Sequence, residues 1–268
     1  ESFPDFLNQH YVKIIKSFFD NEGDGSDELV ELGVFLLLLI SQQERKSDFD
    51  LNIFNNLFVQ TLELKPSPKS YLTLLSILDE VRPNTNSYNM LWWQLNVCEA
   101  MVLNPSPSTE CREANLKYFL DTYTDIKSFS HRLQDDEFLL IQTLSKDFEL
   151  KIDLNIADTQ LEAENQPDID LRDKVIAIYT LSETAGGRAK NTIETLYPGV
   201  SVKLNSDKEC TEKLRYLSRS ADYFLFVWKS SKHQAFYCIK DHLGRAPEYV
   251  SGKGTSSILS ALKTLVAG

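Results

Sequence analysis

The residues best suited to ligand binding or catalysis form three short loops in the last third of the chain. The loops run from Ser182 to Arg188, from Lys229 to His233 and from Ser251 to Ser257. Their candidate ligand-binding residues are Ser182, Thr184, Gly186, Gly187, Arg188, Lys229, Ser230, Ser231, Lys232, His233, Gly252, Lys253, Gly254, Thr255 and Ser256. Backbone N–H groups at the start of a helix, with cationic side chains beside them, bind phosphate and carboxylate groups. The loops therefore predict an anionic ligand, but they do not identify it, and the cofactor is unknown.

None of the three loops matches an established phosphate-binding fingerprint. The Gly252 to Thr255 stretch lacks the spacing of a Walker motif, and Gly186-Gly187 lacks the third glycine of a dinucleotide motif. Glycine-rich turns before helices are also common caps. The prediction of a site therefore depends on the three loops meeting at one edge of a sheet.

Catalytic residues are harder to find in these loops. His233 lies beside Ser230 and Ser231 as a base would lie beside a nucleophile, but no carboxylate is placed to orient it. Glu183 is the best-placed acid, and a single carboxylate among cationic loops also suits a contact to a sugar hydroxyl. The sequence favours a binding protein and keeps Glu183 and His233 as weak catalytic candidates.

The segments around these loops predict a small parallel sheet. A near-continuous apolar strand precedes the second loop, and strands alternate with helices of 10 to 12 residues. The predicted strands are Val175–Leu181, Val200–Leu204, Tyr223–Trp228 and Glu248–Val250, and the predicted helices are Gly187–Leu196, Lys208–Arg219, Lys232–His242 and Thr255–Val266. The two most apolar strands belong in the centre, which gives the strand order 2-1-3-4. Ligands of such sheets bind where the order reverses, between the first and third strands.

The first part of the chain has a different pattern. Apolar residues recur at helical spacing from residue 3 to about residue 150, and Pro-bearing turns separate the stripes. This predicts about seven helices in an irregular, repeat-like array. Such arrays bind other proteins, so we expect protein partners for this region.

Residues 151–173 differ from both neighbours, with two basic residues, seven acidic residues and little apolar periodicity. We interpret them as an acidic linker. The predicted organisation is a helical scaffold domain at 1–150, a linker at 151–173 and a Rossmann-like α/β domain at 174–268. The predicted fold class is accordingly α plus α/β.

Net charge separates the same two regions. Residues 1–173 hold 14 Lys and Arg against 31 Asp and Glu, a net charge of −17, and residues 174–268 hold 14 against 8, a net charge of +6. This asymmetry indicates different partners, with an anion on the basic part. Alternatively, the two regions attract one another or a neighbouring subunit.

The four cysteines are far apart and form no Cys-x-x-Cys pair. We interpret them as free buried thiols, which fits a reducing cytoplasm. Asp20 to Glu31 has the oxygen spacing of a calcium loop, but Asp27 occupies a position that needs an apolar residue. We therefore favour a turn there and expect no metal. No apolar run is long enough to span a membrane, so we expect no membrane contact.

The stretches Ala221 to His233 and Ser251 to Leu262 carry a family resemblance. Residues 174–268 resemble a small bacterial Rossmann-like domain of uncharacterised function that occurs in phage-defence and DNA-modification gene clusters. They are also loosely similar to TIR and deoxyribosyltransferase-like domains, which place a catalytic Glu on a helix near the sugar. The corresponding helix here begins Lys232-His233-Gln234, which counts against NAD cleavage.

Three functions remain open from the sequence. The leading hypothesis is a cytoplasmic binding or sensor protein in antiviral defence, with a nucleotide or nucleic-acid phosphate on the α/β domain and protein partners on the helices. The second is an enzyme that hydrolyses a nucleotide or nucleic acid with Glu183 or His233. The third is a structural subunit without a ligand, whose basic face contacts DNA or an acidic partner.

Overall fold

A computed structural model describes residues 13–20, 26–43, 47–151, 170–243 and 246–267. The chain divides into two compact units, with the division between Ser128 and Phe129. The first unit is helical, and the second contains the sheet. This confirms the predicted fold class of α plus α/β.

The described part of the first unit consists of α-helices joined by short turns. They are α1 at residues 13–20, α2 (Asp27–Ser41), α3 (Asp48–Glu63), α4 (Pro68–Val81), α5 (Leu91–Leu103) and α6 (Thr109–Ser128). Each contributes apolar side chains to the interior; Leu37, Phe54, Leu78 and Val97 are wholly buried. Burying apolar surface stabilises this packing by about 25 cal/mol for each Å² removed from water.

Serine side chains cap most helices of the first unit. The Oγ atoms of Ser26, Ser47, Ser67 and Ser108 accept backbone N–H bonds at the starts of α2, α3, α4 and α6. At α3 the cap is reciprocal, since the Asp50 carboxylate accepts the Ser47 N–H. Each cap satisfies a donor that the helix itself cannot pair. The sequence predicts N-caps at Ser67 and at Ser108 or Thr109, and the structure shows that Ser67 and Ser108 are the caps.

The second unit begins with α7 (Asp135–Asp147) and continues into a four-stranded sheet with helices between the strands. Its further elements are β1 (Val175–Tyr179), α8 (Glu183–Leu196), β2 (Ser201–Asn205), α9 (Glu212–Ser220), β3 (Tyr223–Phe226), α10 (His233–Lys240), β4 (Glu248–Tyr249) and α11 (Thr255–Ala267). All strand pairs are parallel, and the order is β2-β1-β3-β4. The predicted strand order is confirmed, so the reversal point lies between β1 and β3.

Helix α7 packs against α8 and α11. The sequence assigned residues up to 150 to the helical domain, whereas the structure groups α7 with the sheet unit. Ion pairs reinforce this packing: Asp147 accepts from Arg188 on α8, and Asp136 faces Lys263 on α11. The acidic residues of α7 thus neutralise part of the basic charge that the sequence assigned to the α/β region.

Three helices of the second unit begin at other residues than predicted, and the smallest shift is in α10, which begins at His233 instead of Lys232. Helix α8 begins at Glu183 instead of Gly187, so Gly186 and Gly187 lie inside the helix and not in the loop. Helix α9 begins at Glu212 instead of Lys208, because the Thr211 hydroxyl accepts the Leu214 N–H and caps the helix there.

The helices cover both faces of the sheet. On one face, side chains of β1 and β3 pack with α9 and α10 in a cluster of buried residues: Ala177, Tyr179, Leu214, Leu217, Phe224, Phe226, Ala235, Cys238 and Ile239. Side chains alternate between faces along a strand, so Ile176 and Ile178 point to the other face. There α8 and α11 pack against each other.

The sequence predicted that all four cysteines are free, and this prediction is wrong for two of them. Cys210 and Cys238 form a disulfide whose Cα atoms are 5.4 Å apart, whereas Cys98 and Cys111 are free and buried. The sequence could not reveal the bond because its partners are 28 positions apart and meet only when α9 and α10 pack on the same sheet face.

Two sequence predictions fall on residues that the structure does not describe. These are most of the predicted linker, at residues 152–169, and the centre of the calcium-like pattern, at residues 21–25. Within the described ranges, no helix is long and apolar enough to cross a membrane. Those ranges also contain no group of three or more His, Cys, Asp and Glu side chains arranged to hold a metal ion.

Candidate functional site

The loops after β1 and β3 meet at the reversal point of the sheet. The Leu181 N–H donates to the Ser230 carbonyl at 2.8 Å, and the Val227 N–H donates to the Tyr179 carbonyl at 3.0 Å. These bonds hold the two loops side by side at the carboxyl edge of the strands. Ligands of open α/β sheets bind at this position, so the backbone brings two of the three predicted loops to the expected place.

Helix α8 begins in this crevice with free backbone donors. Its N-cap residue, Ser182, makes no side-chain cap bond within the described residues, and the Ser182 N–H donates to the Thr180 hydroxyl instead. The first backbone bond of the helix runs from the Gly186 N–H to the Ser182 carbonyl. The N–H groups of Glu183, Thr184 and Ala185 therefore have no acceptor within the helix. Such groups bind anions.

The two adjacent glycines of α8 have different surroundings. A Cβ on Gly186 would lie 2.9 Å from Thr180 Cγ2 and 3.6 Å from a Leu204 methyl, so this glycine lets the helix approach the sheet. A Cβ on Gly187 would have no neighbour within 4 Å. Gly186 therefore has a packing role, and Gly187 borders open space where a ligand group can lie.

Arg188 is part of an ion pair and does not stand alone in the crevice. Its Nη2 donates to Asp147 Oδ1 at 2.8 Å, and both side chains are largely buried. The sequence placed Arg188 among the anion-binding cations. The structure gives it a carboxylate partner on α7, so its charge is already compensated.

The loop after β3 folds into a 3₁₀ turn at Trp228–Ser230 and then enters α10. Lys229 lies over the Trp228 ring, with Nζ 5.5 Å from the ring centroid, and the Ser231 hydroxyl donates to the Trp228 carbonyl. Lys232 is the exposed N-cap of α10 and makes no side-chain cap bond within the described residues. His233 opens α10, but its side chain lies outside the described part of the structure.

The third loop joins the site through α8. The Thr255 hydroxyl donates to the Ala185 carbonyl at 3.3 Å, across 70 positions of the chain. Thr255 and Ser256 are each 1% exposed, and Gly254 is also buried. These three residues therefore fix α11 against α8, which leaves Gly252 and Lys253 as the more accessible candidate residues of this loop.

A fourth loop, after β2, belongs to the same edge, and the sequence analysis missed it. The Asn205 amide and the Thr211 hydroxyl both donate to the Asp207 carboxylate, and the Tyr179 hydroxyl donates to the Asp207 carbonyl. The bonds from Thr211 and Asn205 lower the pKa of Asp207. The signal was present as Asn-Ser-Asp directly after a strand, a position where α/β folds place polar ligand contacts.

Glu183 lies between the first and fourth loops. Its side chain is exposed in the first turn of α8, and the Ser206 hydroxyl donates to Oε1 at 3.4 Å. A carboxylate in this position can accept hydrogen bonds from sugar hydroxyls. It can also serve as a base, because it lies at the edge to which the backbone donors of α8 point.

Tyr179 and Phe226 lie beneath the loops at the ends of β1 and β3. Their rings are stacked with centroids 5.2 Å apart, and burial raises the pKa of Tyr179. The Tyr179 hydroxyl is therefore protonated at neutral pH and acts as a donor to the fourth loop. This pair keeps the two central strands aligned beneath the loops.

Comparison with known proteins identifies one relationship. A model of the DpdD-like family matches residues 4–261. No curated protein and no solved structure matches the chain. The family match links the chain to DNA-modification and phage-defence gene clusters, in agreement with the context that the C-terminal resemblance implied.

Proposed function

Because the chain belongs to the DpdD-like family, we propose that it is a binding protein of a DNA-modification or phage-defence system. Its sheet unit binds a phosphate of a nucleotide or nucleic acid at the carboxyl edge of β1 and β3. Its helical unit binds protein partners. The protein acts in the cytoplasm, where nucleotides and DNA are available.

The observation that carries this proposal is the convergence of two uncapped helix starts. Helix α8 begins at Glu183 and α10 at His233, and the bond from the Leu181 N–H to the Ser230 carbonyl joins the loops that lead into them. Within the described residues no side chain caps either start, and both helices direct first-turn N–H groups and the positive end of a helix dipole toward this edge. A phosphate satisfies several of these donors at once.

Cations and a carboxylate suit the remaining parts of a nucleotide. Lys232 is exposed at the start of α10, which suits a second phosphate oxygen. Glu183 with Ser206 suits the hydroxyls of a ribose. These groups favour a nucleotide over a simple inorganic anion.

The proposal is tested by calorimetric titration of the purified chain with mono-, di- and cyclic nucleotides and with a short DNA oligonucleotide. Lys232→Ala is expected to weaken binding at least tenfold, because it removes a charge at the phosphate. Lys240→Ala is the matched control, since it removes the same charge from the other end of α10. Equal affinities for both variants would refute the site.

Gly187 offers a second, independent test. Gly187→Asp places a negative charge in the open space beside the start of α8 and is expected to abolish phosphate binding. Gly187→Ala fills the same space without charge and is expected to retain the fold, since nothing lies within 4 Å of the added Cβ. Retained binding in Gly187→Asp would exclude a phosphate at this helix start.

A second function, hydrolysis of a nucleotide or nucleic acid, is favoured by the exposure of Glu183 beside Ser206. In this mechanism the carboxylate accepts a proton from water while the backbone donors of α8 bind the phosphate. Wild-type protein should then form product from ATP, NAD or DNA, and Glu183→Gln should lower the rate at least a hundredfold. Absence of product with all three substrates would leave the binding function alone.

A further inference from the structure

Helices α9 and α10 form the two sides of an open groove with a volume of about 740 Å³. Its lining includes Cys210, Arg215, Arg219, Tyr237, Cys238 and His242. None of the phosphate-site candidates lines this groove. The groove is therefore separate from the site at the carboxyl edge of the sheet.

The disulfide between Cys210 and Cys238 is the reactive group in this groove, and its two sulfurs differ. Cys210 is exposed in the loop before α9, whereas Cys238 belongs to α10, is 7% exposed and packs in the core. Arg215 Nε donates to Cys210 Sγ at 3.2 Å. A guanidinium at this distance stabilises a thiolate on Cys210 whenever the bond is open.

We propose that Cys210–Cys238 is a reversible thiol–disulfide exchange site whose co-substrate is a dithiol, either a small molecule or a dithiol protein. A thiolate of the dithiol attacks Cys210 Sγ and forms a mixed disulfide. The Cys210–Cys238 bond breaks, and its electron pair leaves on Cys238 as a thiolate. The second thiolate of the dithiol then attacks its own sulfur in the mixed disulfide and releases Cys210. The protein gains two electrons, the dithiol becomes a disulfide, and water supplies protons to the released thiolates.

Access directs the attack to Cys210. Exchange requires that the incoming thiolate reach one sulfur in line with the bond, and only Cys210 of the two cysteines is exposed. Arg215 and Arg219 share the lining with Glu212 and Asp241, and Arg215 is paired with Glu212, so the groove carries no excess positive charge. The feature that distinguishes Cys210 is its direct contact with Arg215 Nε. The two other cysteines are excluded by burial, which raises the pKa of Cys98 to about 12.

Exchange has a structural consequence because the bond joins two elements of the same sheet face. It links the loop before α9 to α10, across 28 positions that include β3 and the loop at Lys232. Opening the bond removes the only covalent cross-link to α10 within the described residues. Helix α10 spans eight residues, so it is the element whose order depends most on the bond.

Differential alkylation with mass spectrometry tests the bond in the full-length chain. Protein purified without reductant is labelled in the native state, then unfolded and reduced, and labelled again. We expect Cys210 and Cys238 to label natively only after treatment with millimolar dithiothreitol, and Cys98 and Cys111 to label only after unfolding. Native labelling of Cys210 without reductant, or a bond that withstands the dithiol until the protein unfolds, would overturn the proposal.

Single-cysteine rates test the direction of attack. In Cys238→Ser the Cys210 thiol should react with a disulfide reagent at least tenfold faster than the Cys238 thiol does in Cys210→Ser. Adding Arg215→Gln to Cys238→Ser should slow Cys210 about threefold to tenfold at pH 7, because the thiolate loses its guanidinium. Arg219→Gln is the matched control, since it removes a cation of the same groove that lies four positions further along α9.

Each outcome of these rate measurements decides the proposal. Equal rates for Cys210 and Cys238, or equal slowing by the two Arg variants, would refute the exchange site. Because no nucleotide is used, failure here leaves the phosphate site untouched, and failure of the phosphate site leaves these rates unchanged.

Discussion

The helices of the first unit and the helices at the sheet edge begin in different ways. In the first unit, Ser26, Ser47, Ser67 and Ser108 accept the leading N–H groups of their helices. Among the described helix starts of the second unit, α8 and α10 have no such side-chain bond. Helix α5 also lacks one, but a 3₁₀ turn at Tyr88–Met90 leads directly into it.

Capped and uncapped helix starts have different consequences for the protein. A capped start satisfies its donors within the protein and strengthens the fold by about 1 kcal/mol. An uncapped start keeps its donors available, and only a ligand or water satisfies them. Ser182 has a suitable hydroxyl in the N-cap position of α8 and still makes no cap bond within the described residues. We propose that a ligand supplies the acceptors for these donors at the edge of the sheet.

The two units also differ in how charge is used. Asp147 and Asp136 on α7 pair with Arg188 and Lys263, so part of the basic charge of the sheet unit is neutralised internally. The basic surface available to a ligand is accordingly smaller than the sequence count suggests. At the edge of the sheet it includes the exposed Lys232.

The largest expected effect is a loss of stability that is confined to the second unit when the disulfide is removed. Closing a loop of 28 positions by a disulfide stabilises a protein by about 3.5 kcal/mol through restriction of the unfolded chain. The double variant Cys210→Ser/Cys238→Ser should lose stability of that order in the second unit only. Hydrogen exchange measures it: protection should fall in α9 and α10 and stay unchanged in α2 to α6. Equal loss in both units would mean that they unfold as one body.

The next effect concerns the ion pair between α7 and α8. Arg188→Ala leaves the Asp147 carboxylate without its guanidinium, and we expect a loss of about 2 kcal/mol in the free energy of unfolding because both side chains are largely buried. Lys190→Ala is the matched control on the same helix: its pair with Glu194 is exposed and should contribute less than about 0.5 kcal/mol. Urea denaturation separates the two. Phosphate affinity should change little in Arg188→Ala. A complete loss of binding in that still-folded variant would show that Arg188 contacts the ligand.

The caps themselves provide the most direct test of the comparison. Ser47→Ala should lower the free energy of unfolding by about 1 kcal/mol, since it removes a reciprocal cap. Ser182→Ala should change it by less than about 0.3 kcal/mol, because no cap bond is lost. Chemical denaturation of both variants measures the contrast. A similar cost for the two would show that Ser182 caps α8 in solution and that its donors are not free.

The smallest effect is the pH dependence due to Asp207. Hydrogen bonds from Thr211 and Asn205 lower its pKa below the ordinary 3.8, so the unfolded chain binds the proton more readily than the folded one. The resulting stability is present above pH 4 and is lost as the pH falls through the lowered value. We expect less than about 0.5 kcal/mol, since the carboxylate is close to solvent. Comparing urea midpoints of wild type and Asp207→Asn between pH 5 and pH 2.5 measures it, and parallel pH profiles would contradict it.

Local sequence patterns were sufficient for the order and type of the elements. Apolar periodicity and Pro-bearing turns predicted the helices of the first unit, because these signals act over a few residues. The apolar strands β1 and β3 predicted the centre of the sheet, and with it the reversal point where the loops meet. The boundaries were predicted less accurately: α8 begins four residues before the predicted start, so Gly186, which approaches Thr180 closely, lies inside the helix.

The sequence by itself thus determined the fold class, the strand order and the position of the candidate site. Only the tertiary structure decided which residues of the three loops are available to a ligand. Arg188 meets Asp147 from a separate helix, Thr255 and Ser256 are buried, and Asp207 joins the edge from a loop that the sequence did not single out. The same holds for the bond between Cys210 and Cys238. These partners are distant in sequence, and only the packing of helices on the sheet brings them within a few ångströms of one another.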